Sequence, residues 1–132
     1  QMPPVVGEAF GTLLPVVDED GNEVPGIRLP EVVVPLATHT GWTLRHPDIG
    51  GVTQLLMFAG ATIPFASTIS GRIATGDPRR SIAERYTSKE EYLELVRRAG
   101  VGLVERKYML EEDIERCVGQ AERFWEYLSM NG

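Results

Sequence analysis

The sequence predicts an α+β fold, with a small irregular β region followed by a helical C-terminal half that ends in an antiparallel helix pair. Three observations lead to this reading. The first 60 residues alternate turn signals with short apolar runs and show no helical period. An Asp20-Gly21 step sits between two such runs, where both positions tolerate the positive φ of a tight hairpin turn. From Ser88 onward, apolar residues recur at the three- and four-residue spacing of a helix face. A chain of 132 residues removes about two thirds of its unfolded surface from water on folding, which suits one domain. We read residues 1–132 as a single domain, with a β-rich part at 1–60 and a helical part at 61–132.

In order, residues 10–17 (FGTLLPVV) form a first extended run and residues 24–29 the returning one. Pro15 and Pro25 cannot donate to a ladder, so both runs are edges or interrupted. Residues 31–36 read as a third strand, because three consecutive valines favour a pleated surface and their continuity predicts burial on both faces. Residues 38–43 and 46–51 read as loops. Ser67 is the expected cap of a short helix ending at Gly76, and Pro78 the expected start of a turn through Tyr86.

Ser88 and Glu91 have the S-x-x-E spacing of a capping box, and Tyr92, Val96, Ala99 and Leu103 fall on one stripe after it. Gly100 and Gly102 each weaken that helix by about 1 kcal/mol relative to alanine, which predicts a bend or close packing. The final helix starts near Glu111, with Ile114, Cys117, Val118, Ala121, Phe124, Trp125 and Leu128 on its apolar face.

Hydrophobic residues at 42% and charged residues at 24% are ordinary for a globular chain. The net charge of -6 argues against nucleic acid, whose binding draws on clustered Lys and Arg. No apolar run reaches the length of a membrane helix, since residues 55–66 (LLMFAGATIPFA) are interrupted by Gly60 and Pro64. Gln1 precedes Met2, so the first residue is not an initiator, and the expectation is either that the chain is part of something longer or that it carries a tag remnant. One cysteine cannot form an internal disulfide.

Three stretches are too irregular for periodicity to explain: DGNEVPGIRLPEVVVPLATHTGWTLR at 20–45, IPFA at 63–66 and GDPRRSIAERY at 76–86. Together they resemble the C-terminal region of the bacterial α/β-hydrolase domain-containing proteins, a family of serine hydrolases, over nearly the whole chain. The resemblance implies a bacterial source, in cytoplasm or periplasm, and hydrolysis of esters or amides at the level of class. It also implies that the nucleophilic serine and the acid-base histidine lie upstream. Relatives often carry tyrosine where His39 stands, so the resemblance implies no catalytic imidazole there.

The residues themselves agree in offering no nucleophile, because the pentapeptide G-x-S-x-G that holds an α/β-hydrolase serine on its strand-to-helix turn does not occur. We assign no catalytic residue, no cofactor and no metal. His39 and His46 could each act as acid or base but need an orienting partner, and Asp48, two residues after His46, stands at a loop spacing that recurs often by chance. Asp18-x-Asp20-x-Asn22 starts like a calcium loop but places Glu23 where glycine is needed and Leu29 where the bidentate glutamate belongs. Arg79-Arg80 and Arg97-Arg98 could bind an anion, or pair with Asp77, Glu84, Glu94 and Glu105 nearby.

The candidate ligand or pocket surface is THTGWTLR, with Thr38, His39, Thr40, Trp42 and Arg45 combining hydroxyls, rings and a guanidinium. A structural alternative has Trp42 in the core, Arg45 on backbone carbonyls and the threonines completing turns. Expected partners are an upstream hydrolase body or a second copy of the chain as a homo-oligomer, because the valine run and residues 55–66 hold more apolar surface than a small unit hides.

Overall fold

The computed structural model describes residues 16–40, 43–44, 55–56 and 61–131, with 43–44 and 55–56 known by backbone alone. The α+β architecture holds, and its β region is built differently from the sequence reading. The Asp20-Gly21 turn forms with Gly21 at φ 81°, closed by Asp18 N–H to Asn22 C=O at 2.8 Å. Pairing beyond it stops at one bridge, Val17 with Glu23, after which Pro25 and Gly26 (φ 85°) carry the chain away. The expected returning strand at 24–29 is therefore only this bridge, and most of the expected run at 10–17 lies outside the described residues.

The expected third strand at 31–36 is corrected to a helical turn, α1 (Pro30–Val33). Pro30 at the first helical position has no N–H to leave unpaired and already has a helical φ. The amides of Val32 and Val33 both reach Leu29 C=O, at 2.9 and 3.1 Å, and Val34 N–H reaches Pro30 C=O at 2.8 Å. These local bonds override the β preference of the valines. Val33 is consequently exposed and Val34 buried, rather than both faces being covered.

Strand structure begins a few residues later, in a segment read from sequence as a loop. β1 (Ala37–Thr40) pairs antiparallel with β4 (Ala61–Pro64), from Ala37 opposite Pro64 to Thr40 opposite Ala61. Nested within this reversal, β2 (Thr43–Leu44) pairs antiparallel with β3 (Leu55–Leu56). β4 thus places a strand inside the part expected to be helical, and Pro64 ends it.

Helices follow in the expected order. α2 (Ile69–Thr75) is capped by Thr68 rather than Ser67, through Gly71 N–H to Thr68 Oγ1 at 3.1 Å, and ends at Gly76 in the left-handed conformation. α3 (Ile82–Arg85) starts at Ser81 rather than Pro78, with a capping box to Glu84. α4 (Lys89–Glu105) starts at Ser88 as expected, but Glu91 folds back to the Thr87 amide and hydroxyl, at 2.6 and 2.8 Å, rather than to Ser88. α5 (Asp113–Asn131) buries Ile114, Val118 and Leu128.

α4 and α5 pack antiparallel. Lys89 at the start of α4 bonds Glu122 and Glu126 late in α5, at 3.0 and 3.1 Å, while Arg97 meets Glu115 and Gly100 faces Ile114 near the start of α5. The close packing expected at the glycines occurs at Gly100, where a Cβ would lie 3.4 Å from Ile114. Among the described residues, one apolar cluster draws Val34, Leu36 and Phe65 from the β region together with Ile82, Val96 and Val118 from the helices. Tyr92 stands at its centre, 5.1 Å from both Tyr86 and Trp125 between ring centroids.

Candidate functional site

Because successive side chains of a strand point to opposite faces, β1 divides the candidate loop into two environments. Thr38 faces a polar clamp, and His39 faces a cavity. Thr40 bonds the backbone of Ala61 across the hairpin, with its Oγ1 3.2 Å from Ala61 N. Trp42 and Arg45 lie outside the described residues, as does His46.

The clamp joins the three irregular stretches of the sequence. Asn22 is fully buried, and its Nδ2 donates to Ala37 C=O at 3.1 Å while its Oδ1 accepts from His39 N–H at 2.7 Å. It therefore satisfies the outer edge of β1 as a neighbouring strand would. Thr38 Oγ1 donates to Asp20 C=O and accepts from Arg79 Nη1 at 2.9 Å. Arg79 also donates to Ile63 C=O and Pro64 C=O and is held by Asp77. Arg85 makes a two-nitrogen bond to the Asp20 carboxylate, with Nη1 to Oδ2 at 2.8 Å. Its guanidinium carbon sits 4.0 Å from the Phe65 ring centroid.

The groups weighed for ion binding have partners within the protein. In the 18–22 turn, Asp18 accepts from the Asp20 and Asn22 amides and from Arg28, so its oxygens already face protein donors. Among the described residues no three His, Cys, Asp or Glu side chains group to hold a metal. The donors of Arg79 are likewise engaged, and Arg97 and Arg98 both pair with Glu94.

Several carboxylates in and around the clamp are held ionised. Glu84 accepts from the Ser81 amide and hydroxyl, each at 2.7 Å, and from Arg72, which together bring its pKa from 4.5 down to about 2. For Asp77 the dominant influence is the Arg79 guanidinium, which lowers its pKa. Burial raises that of Asp18, but the Asn22 amide, Arg28 and the Asp20 amide outweigh it and the net shift is downward. Depressed folded-state values mean that the stabilisation is complete above the unfolded pKa and is lost as pH falls through the folded one. We expect the urea midpoint to decline from about pH 5 down to about pH 2, with Glu84→Gln flattening part of that slope.

On the other face of β1, a cavity of about 390 Å³ opens between α1, β1, β4, α4 and α5. Leu36, Val96, Ala121 and Phe124 form its apolar wall, and Glu31, His39, Thr62, Cys117 and Gln120 bring polar atoms to it. The His39 ring is half-buried, with Nδ1 3.4 Å from Thr62 Oγ1. Burial, then the charges of Asp113 and Glu31, push the Cys117 thiol up, so it stays protonated near neutral pH. His39 was legible in the sequence as a candidate. The helical spacing also placed Val96 on one face and Cys117, Ala121 and Phe124 on another, but no spacing links α4 and α5 to Glu31 or to Thr62, whereas Ser81-x-x-Glu84 was a capping signal open to reading.

This framework is the part of the molecule that the irregular stretches build. A family model described as an alpha/beta hydrolase domain matches residues 2–119. The chain belongs to that family. The match takes in the 18–22 turn, both β ladders and the helices as far as the first turns of α5 of this alpha/beta hydrolase domain protein. No curated protein and no solved structure matches the chain. No helix among the described residues is long and apolar enough to cross a membrane.

Proposed function

We propose that the chain, folding as one domain, is the C-terminal accessory region of an α/β-hydrolase-type serine hydrolase. In this reading it contributes structural surface and a length of pocket wall, while the catalytic serine and histidine come from sequence upstream. The observation that carries the proposal is the employment of four of the five serines. The sequence has no G-x-S-x-G, and Ser81 is fully buried on Glu84, Ser88 caps α4, Ser70 contacts Thr68 and Ser129 donates to Trp125 C=O. Among the described residues none of these hydroxyls has an imidazole as its partner, whereas a serine nucleophile needs a base within hydrogen-bond reach.

The test is turnover of p-nitrophenyl esters by the purified chain, for which we expect no activity above background. Hydrolysis that disappears on His39→Ala or His46→Ala would overturn the proposal. A coding sequence that carries G-x-S-x-G ahead of residue 1 would support it.

A second reading, a stand-alone interaction or oligomerisation module, is favoured by exposed apolar side chains on α2 and β4. α2 buries no residue, and Ile69 and Ile73 are exposed on it, as is Ile63 on β4. Exposed apolar groups of this kind suit a partner, either an upstream hydrolase body or a second copy. Light scattering of the chain alone at micromolar concentration is expected to show a dimer or larger species, burying more than about 1,000 Å² in total. A monodisperse monomer would exclude self-association as the cover.

A further inference from the structure

We propose that the cavity beside His39 binds a small uncharged molecule with an apolar body and one hydrogen-bonding group, of the class of short alcohols, esters and benzylic alcohols. This inference stands on the cavity and is independent of where a catalytic serine lies. At about 390 Å³ the space falls within the range of small-molecule sites. Leu36, Val96, Ala121 and Phe124 supply an apolar wall, against which burying methylene groups is favourable.

The polar groups restrict the class of ligand. No Lys or Arg lines the cavity among the described residues, and Glu31 is part of its lining, so a carboxylate or phosphate would enter without a counter-charge. His39 provides the anchoring hydrogen bond. Nδ1 is directed to Thr62, and the second ring nitrogen has no partner among the described residues, so a neutral imidazole can donate to or accept from a ligand hydroxyl or carbonyl there. Gln120 offers an amide on the same cavity.

Cys117 makes the site measurable, since it is the sole cysteine of the chain and lines the cavity. The experiment is the rate of iodoacetamide alkylation of Cys117 in the full chain, titrated with benzyl alcohol, toluene and benzoate. Benzyl alcohol is expected to slow alkylation saturably, and benzoate to do so at least about tenfold more weakly. His39→Ala is expected to weaken the alcohol by about tenfold, the ratio for one net hydrogen bond, and to leave toluene unchanged.

Ala121→Leu, which fills the wall, is expected to remove protection by both, with circular dichroism checking that the variant folds. Absence of saturable protection would overturn the assignment, as would benzoate matching the alcohol or protection that survives His39→Ala and Ala121→Leu alike. An alkylation rate that falls with protein concentration without any additive would show a second copy in the cavity and would also overturn it.

Discussion

Replacing Arg85 with alanine is expected to destabilise the chain by about 3–5 kcal/mol, because it leaves the Asp20 carboxylate buried without its counter-charge. The Arg85 side chain is 5% exposed and that of Asp20 is 11%, so water cannot readily replace the lost partner. The substitution also removes the guanidinium from above Phe65 and the Arg85 Nε bond to Arg80 C=O at 2.9 Å. Arg85→Lys keeps the charge but not the two-pronged geometry, and should recover only part of the loss. Urea denaturation followed by tryptophan fluorescence measures both. A double variant, Asp20→Asn with Arg85→Met, should be less destabilised than the sum of its single changes, because no charge is left unpaired. Strict additivity would show that the two groups do not interact.

The second large effect is expected at Asn22, where Asn22→Ala should cost about 2–4 kcal/mol. Two backbone groups of β1, Ala37 C=O and His39 N–H, lose their partners, and both lie where Asn22 itself is 0% exposed. Unmade buried bonds of this kind cost more than the net gain from making them. Asn22→Asp retains an acceptor for His39 N–H but points a carboxylate oxygen at Ala37 C=O, so it should not rescue. Hydrogen exchange offers a local measure, since the His39 amide should lose protection more than amides of α5. Uniform loss across the chain would instead show that the effect is global, and equal stability would show that Asn22 does not hold β1.

The helical part was readable to within a few residues, and the reason is visible at Ser88. A cap needs only a hydroxyl and an amide three positions on, so the spacing alone determines the bond between Ser88 Oγ and Glu91 N–H. The same holds for the stripe of Tyr92, Val96 and Leu103, all buried as the helical period requires. It failed at Glu91, whose carboxylate reached Thr87, because a side chain with several near partners is not assigned by spacing. The valine run failed for a related reason: propensity favoured a strand, while Pro30 and three local hydrogen bonds stabilised a turn that packs on α4. Reading residues 38–43 as a loop missed β1, since its partner strand begins at Ala61 and no short-range signal links them.

For the candidate site, the sequence by itself determined which chemical groups were at hand and which were missing: two histidines, one cysteine, and no serine in a nucleophile pentapeptide. It also determined the turn at Asp20-Gly21, whose closing bonds span no more than four residues. Only the tertiary structure decided that Thr38 joins a clamp while its neighbour His39 faces a cavity, because that choice depends on which way β1 is turned when it pairs. The ion pair of Asp20 with Arg85 crosses 65 positions, and the cavity wall combines β1 with helices far along the chain. Contacts at such separation carry no spacing rule. They follow from how the buried faces of β1, α4 and α5 fit together, which is a property of packing rather than of any local run of residues.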